Sequence, residues 1–376
     1  MNSHARLSPS SAGQWIHCPG SVQLQERYPD QSDGESARDG NTAHSLAKGA
    51  LEYGFTDVRL YHESGLFTGG SVDDDMLSAV QMYIDAVMTG HGRMASKLRV
   101  EERVDCSAIH RDCWGTPDAW YYDSREDSYH VYDLKYGWGL VDVTRNWQLM
   151  LYAIGLLSSS SAGGSVHLTI VQPRPWHPDG PVRTWMLSRD QLMGYADHAR
   201  SSAIAALSDL PLCTTGAWCK HCSALVQCHA AQRMWPTILD LSESISADIT
   251  HPDQLAFELR LLRRAEEAIK HRLSAVESTA IVLITEGREI PGWQLGRTAG
   301  KTVWTAGPDD IRALAGMYGA VVDKPPELVT PTQAIKAGLP KELVAEYTEK
   351  KPGAVRLEPI NPDKPTAKEI FENAEG

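Results

Sequence analysis

The sequence predicts an α/β protein: a mixed central sheet flanked by helices, followed by a mainly helical C-terminal extension. Three observations predict it. Apolar residues recur at helical spacing from residue 41 to about 88, switch to strand-like runs between 98 and 134, then alternate between the two patterns through residue 208. The chain has 376 residues, room for one large domain or two to three of roughly 100–200 residues each. Its 42% hydrophobic and 22% charged content is that of a globular protein able to bury a sizeable core, which excludes fibrous and fully disordered classes.

The elements follow in order. In the segment SPSSAGQWIHCPGSVQL, Ser8 or Ser10 can cap a short helix running through Trp15, which Pro19-Gly20 ends. Residues 31–40 are polar and acidic and read as a loop. Residues 41–53 read as a helix with Ala43, Leu46, Ala47, Ala50 and Leu51 on one side. Asp73, Asp74 and Asp75 open the next helix, to about Met88, where carboxylates suit the positive end of the helix dipole. Leu98–Val104, Thr116–Tyr122 and Ser128–Leu134 read as three strands joined by short turns. A helix over Asn146–Leu157, strands over Ser165–Gln172 and Val182–Leu187, and a helix over 189–208 complete the core. Beyond Pro236 the character shifts. Residues 253–285 carry a long helical pattern through Leu255, Leu259, Leu262, Ile269 and Leu273; residues 288–304 read as a hairpin around Gly296-Arg297; short helices follow near 309–317 and 331–348. The expected organisation is a domain over 1–235, an extension over 236–360 and a polar, mobile tail over 361–376.

Charge and cysteine usage narrow the function. Lys and Arg total 36 against 48 Asp and Glu, a formal net charge of −12. That excludes a general nucleic-acid coat protein but leaves an enzyme that holds DNA locally through metal ions. No apolar run approaches ~18 residues, so no transmembrane helix is expected, and MNSHARLSPSSAGQW lacks the apolar stretch of a signal peptide. Of seven cysteines, four fall within residues 213–228, which is not how a disulfide framework is spread. A reducing cytoplasm and a metal or cluster site are expected.

The most informative stretch is Gly115-Thr116-Pro117-Asp118 followed by Asp133-Leu134-Lys135. A strand–turn–strand unit brings Asp118 and Asp133 to one end of a sheet, and two converging carboxylates make a hard oxygen site for Mg²⁺ or Mn²⁺. Lys135, two residues beyond Asp133, projects from the same face, where an ammonium can stabilise developing phosphoryl charge. An isolated D-x-K is most often a surface charge pattern; the preceding G-T-P-D and the strand context weigh against that here. Gln148 and Tyr152, four apart, share a helix face. His44, taken alone, reads as a buried or capping histidine more readily than as a ligand.

Cys219-Lys-His-Cys222 and Cys228 form a C-x2-C-x5-C cluster. Three thiols in so short a loop point to a metal or iron–sulfur group that needs a fourth ligand. Cys18 is the leading candidate and Cys213 its rival. All-thiolate ligation suits an Fe–S cluster; it also suits Zn²⁺, for which His17, His221 or His229 could complete the set.

Together these residues resemble the RecB-like exonuclease branch of the PD-(D/E)XK nuclease superfamily: His44, Asp118, Asp133-x-Lys135 and Gln148-x-x-x-Tyr152 stand in that branch's order. The resemblance implies metal-dependent hydrolysis of DNA. Asp118 and Asp133 would hold Mg²⁺ or Mn²⁺ with His44 as a further ligand, Lys135 would be catalytic, and Gln148 and Tyr152 would contact substrate or support the site. Glu101 resembles a glutamate often found in the preceding strand, with Glu102 the competing choice. Members of the branch with a [4Fe–4S] cluster, such as the AddB subunit and the CRISPR-adaptation nucleases, place one cysteine before the core and C-x2-C-x5-C after it, which implies Cys18, Cys219, Cys222 and Cys228. The segments SPSSAGQWIHCPGS, GNTAHSLA, GTPDAW, DLKYGWG and WCKHCSALVQC resemble a phage and prophage family within the branch. That likeness implies DNA end processing in recombination, with a phage single-strand annealing recombinase as a candidate partner. A non-catalytic DNA-binding or assembly module, and a zinc-stapled endonuclease or RNA-processing nuclease, are the competing readings.

Overall fold

The computed structural model describes residues 5–28, 35–91, 96–234, 252–297, 302–320, 322, 331, 334, 339–350 and 355–359. The chain forms two compact units, Met1–Arg272 and Leu273–Gly376. The expected 235/236 boundary and the expected 361–376 tail lie outside the described residues.

The first unit opens with a 3₁₀ turn, Pro9–Ser11, then α1 (Ala12–Trp15) and α2 (Ser21–Arg27). The Ser8 hydroxyl caps nothing; its carbonyl instead accepts from Trp15 Nε1 at 3.0 Å, fixing the indole. Helices α3 (Glu35–Glu52), α4 (Val58–Glu63) and α5 (Asp74–Gly90) follow. The Asp73 carboxylate caps α5 by accepting from the Met76 amide at 2.8 Å.

Strands β1 (Arg99–Val100), β2 (Val104–Asp105), β3 (Trp114–Gly115), β4 (Ala119–Asp123) and β5 (Ser128–Leu134) lead to α6 (Trp147–Ser158). Then come β6 (Ser165–Val171), β7 (Val182–Ser188), α7 (Arg189–Met193), α8 (Ala196–Ala206) and α9 (Pro252–Thr285). The main sheet runs β1-β4-β5-β6-β7. Only β5 and β6 pair in parallel, with α6 as their crossover; the other pairs are antiparallel. The sheet is thus mixed and flanked by helices. Along β5, Tyr129 and Val131 join the core shared with Leu149, Ile154 and Ala199, while Tyr132 and Leu134 join Leu46, Tyr83 and Ile84 on the other face. Helices on both faces explain why β5 is apolar and buried along most of its length. Among the described residues no helix is long and apolar enough to cross a membrane.

Several local expectations are corrected. Residues 35–40, expected in a loop, open α3, and the helix expected over 331–348 gives way to a strand at Thr348. The strand expected over 98–104 is split, because Glu101 adopts a left-handed φ of 43° that ends β1, and β2 pairs with β3 instead. The helix expected over 189–208 is two helices. In the second unit, the hairpin expected over 288–304 does not form: β8 (Trp293–Arg297) pairs with β11 (Val355–Pro359), and β9 (Thr302–Trp304) with β10 (Thr348–Lys350). Gly296, which reads locally as a turn residue, is paired with Arg356 inside β8. Helices α10 (Pro308–Met317) and α11 (Lys341–Glu346) supply Ile311, Ala315 and Val344 to this unit's small core.

Candidate metal centre

The register of β4 and β5 builds the site. Ala119 pairs with Tyr132, so Asp118, one step earlier, comes level with Asp133 at the same end of the sheet. Asp118 is fastened at both oxygens: Oδ2 accepts from the Leu134 amide at 2.7 Å, and Oδ1 lies 3.1 Å from Nδ1 of His44 on α3. Nδ1 is therefore the His44 nitrogen that faces the Asp118 carboxylate, and it is the one that could join Asp118 on a cation entering between them.

Asp133 is 2% exposed and sits in a closed triangle with Lys135 and Gln148. Its Oδ1 accepts from Gln148 Nε2 at 2.9 Å and from Lys135 Nζ at 3.1 Å, while Lys135 Nζ also donates to Gln148 Oε1 at 2.9 Å. Asp133 Oδ2 lies 2.8 Å from Lys135 Nζ, off hydrogen-bond geometry, and is a buried oxygen with no hydrogen-bond partner. The Lys135 ammonium compensates its charge in place of an aligned hydrogen bond. A carboxylate pair with an imidazole alongside is a donor type suited to Mg²⁺ or Mn²⁺; as built, the Lys135 ammonium ion-pairs with Asp133 Oδ2 where a cation would bind.

Tyr152, one helical turn beyond Gln148, donates to the Thr116 carbonyl at 3.2 Å. Its ring lies where a Cβ on Gly115 would sit, 2.9 Å from Cε1, so glycine is required at that approach. Tyr152 therefore holds the strand leading into Asp118. Of the two glutamates, Glu102 pairs with Arg99 at the surface at 2.8 Å, while Glu101 pairs with Lys48 at 2.8 Å. Glu101, His44, Lys48, Asp118 and Tyr83 line a cavity of about 10 Å³, room for one water or ion.

The electrostatics are tightly opposed. Burial lowers the affinity of His44 for its proton, but the charge and hydrogen bond of Asp118 outweigh it and raise His44 above its usual value. Burial pushes Asp118 up; the charge and hydrogen bond of His44 and the Leu134 amide win and hold it low. Asp133 ends above the usual carboxylate range, raised by burial and by the Asp118 charge against the pull of Lys135. Burial lowers Lys135, yet the Asp133 charge holds it above its usual value, so it stays an ammonium. Two buried carboxylates with one of them destabilised as an anion is the field a divalent cation relieves.

The cysteines gather elsewhere in the same unit. Thr214 donates its amide to Cys18 Sγ at 3.3 Å and its hydroxyl to the His17 carbonyl at 2.6 Å; His17 stacks on Trp218 at 4.9 Å. Gly20 meets Cys213 so closely that any Cβ would lie 2.4 Å from Sγ. Burial raises the Cys222 thiol to about 11, with Cys219, Cys18 and Cys228 adding to it. Burial likewise raises Cys219, with Cys18 and Cys228 contributing, and lifts Cys213, in contact with Cys18 and Cys228, to about 12. The N-terminal segment and the 213–228 loop thus meet at Cys18, Cys213 and Cys228, with Cys219 and Cys222 nearby. The remaining two cysteines, Cys106 and Cys113, are buried in the main core. A cavity of about 260 Å³ lies beside Cys219, lined by Trp218, Arg264, Glu267 and His271.

Sequence reasoning missed Lys48 and Tyr83, which only helix packing brings to the centre. It also missed Glu126, His130 and His167, a possible metal-binding triad whose ligand atoms lie within 4.8 Å of one another. Their separation in sequence carries no motif; the parallel β5–β6 register is what aligns the two histidines.

The chain matches the family described as Protein of unknown function (DUF2800) over residues 4–365, and it belongs to that family. Among solved structures, SSO0001 is similar at 12% identity over 58% of this chain and 96% of that one, with a TM-score of 0.25, a superposition too loose to bear on fold or function.

Proposed function

We propose that the protein is a Mg²⁺- or Mn²⁺-dependent DNA exonuclease of the RecB-like PD-(D/E)XK type, acting on DNA ends. The observation that carries this reading is the Asp118–Asp133 pair locked to His44, Lys135 and Gln148, with one carboxylate oxygen left without a hydrogen-bond partner. Asp118, Asp133 and His44 would hold the cation, with Glu101 beside them. A divalent ion bound there supplies Lewis-acid stabilisation of phosphoryl charge and a more acidic water. Lys135, held as an ammonium by Asp133, presents positive charge where the scissile phosphate would develop its own. Gln148 keeps Lys135 and Asp133 in register, and Tyr152 fixes the approach of Asp118.

DNA as substrate has local support in an acidic chain. The loop after Lys135 carries Tyr136 and Trp138, and the Arg174 guanidinium lies 4.3 Å and 4.6 Å from their ring centroids. Trp138 is 65% exposed, yet its loop is clamped by buried Gln172, which donates to Gly137 and Gly139 and accepts from Val141. A rigid exposed indole beside a guanidinium is suited to stacking bases and pairing phosphate. The Cys18, Cys219, Cys222 and Cys228 set is read as the ligands of a [4Fe–4S] staple, with zinc the competing ion. End-labelled DNA incubated with Mg²⁺ tests the activity: wild-type protein should shorten it from the ends and Lys135→Ala should not. Equal rates in the two proteins would sink the assignment.

A further inference from the structure

We propose that Glu126, His130 and His167 form a second metal site, for a borderline divalent cation of the zinc class, which pins the β4–β5 turn to β6. This proposal is independent of the nuclease reading. His130 and His167 are direct partners in the parallel β5–β6 ladder, so both imidazoles leave the same face on neighbouring strands, with ring centroids 4.3 Å apart. Glu126, from the turn before β5, brings Oε2 to 3.6 Å from His130 Nε2 and 3.9 Å from His167 Nε2. Zinc bonds of about 2.0–2.2 Å in a tetrahedron place ligand atoms about 3.3–3.6 Å apart, so the two Glu126 edges are already within a few tenths of an ångström of that span, and all three ligand atoms lie within 4.8 Å of one another.

The ring positions are built. Tyr121, the antiparallel partner of His130, stacks on it at 4.6 Å and 10°, and His91 meets Tyr121 edge-on at 5.0 Å. Ser128 Oγ lies 3.0 Å from His130 Nε2 and 3.4 Å from Glu126 Oε2, beside both ligand atoms. The histidine side chains are only 12% and 16% exposed, while Glu126 is 57% exposed, so one side stays open for a water as fourth ligand. Two imidazoles and one carboxylate select a zinc-class ion over Mg²⁺, which prefers oxygen and water. On β5, His130 stands three residues before Asp133, about 10 Å along the strand and on the opposite face. An ion here would brace the hairpin that carries both Asp118 and Asp133 without taking part in the chemistry at them.

Cobalt is the probe that separates this site from the cysteines and the carboxylates. Chelator-dialysed full-length protein titrated with Co²⁺ should develop the visible bands of a tetrahedral nitrogen–oxygen site, separate from any near-ultraviolet thiolate charge transfer at the cysteines, and Zn²⁺ should displace it. His167→Gln should abolish those bands, and Glu126→Gln, an exposed turn substitution that leaves the sheet intact, should weaken Zn²⁺ binding by about 10-fold or more. Wild-type spectrum and affinity in Glu126→Gln overturn the site, even if His167→Gln fails to fold. A wild-type spectrum made only of thiolate charge transfer overturns it equally.

Discussion

The carboxylate centre and the cysteine cluster lie in the same unit and are built in opposite ways. At the carboxylates the protein supplies both signs of charge: Asp133 holds Lys135, Gln148 bridges them, and Asp118 takes His44 and the Leu134 amide. At the cysteines it supplies ligands of one kind, thiols raised by burial and by one another. The carboxylate centre is therefore preorganised by its own hydrogen bonds. The cysteine cluster, whose members come from Cys18 and from residues beyond 212, gathers thiols that burial and one another keep protonated. One site is held by paired opposite charges, the other by a gathering of like groups.

The sharpest test of that contrast is at the fourth thiol. Cys18→Ser should remove the visible absorbance of anaerobically purified protein altogether and expose the N-terminal segment to limited proteolysis, while Cys213→Ser keeps the colour. The reverse pattern moves the ligand to Cys213, and colourless wild-type protein with one equivalent of zinc replaces the cluster by zinc. Next in size is Asp133. Because it is buried against Lys135, truncation to Ala would strand an ammonium at a cost of about 3–5 kcal/mol, so the isosteric Asp133→Asn is the informative variant. It should lower DNA degradation by at least ~10²-fold with a melting temperature near wild type. Loss of fold in place of loss of rate would mean that the centre is not held by its neutral hydrogen bonds.

Smaller effects probe the supports. Tyr152→Phe removes one hydrogen bond to the Thr116 carbonyl and should cost about 1 kcal/mol of stability in denaturant unfolding. A cost near zero would show that ring packing on Gly115 alone sets the approach of Asp118. Arg174→Ala should lower the slope of DNA affinity against salt by about one contact, in a total of about two to four where a strongly basic binder shows roughly 6–10. A steep slope unchanged by the substitution would point to other cations, such as Arg260 or Arg264 on α9.

Much of the centre was legible in sequence because its parts lie on short-range elements. Asp118 and Asp133 flank one strand–turn–strand unit, Lys135 follows at strand period, and Gln148 and Tyr152 share a helical face, so local periodicity alone brings them together. The helices at 41–53 and 73–88 were legible for the same reason, since an apolar stripe must face a core. The same logic failed at residues 288–304. There a glycine suggested a turn, and the true partners of β8 and β9 lie some fifty residues on, a pairing no local pattern encodes.

By itself the sequence determined which residues are available for chemistry and where helix gives way to strand, because hydrophobic period and turn residues act over a few positions. Only the tertiary structure decided which of them meet. It turned Glu101 rather than Glu102 toward the centre through a left-handed backbone at one position, and it placed Lys48 and Tyr83 beside it by packing α3 and α5 on the sheet. It also set His130 against His167 through a parallel register that a shift of one residue would have sent to opposite faces. Strand pairing and helix docking are cooperative, long-range choices settled by burial of the whole core, and a site assembled across them exists only once that core has closed.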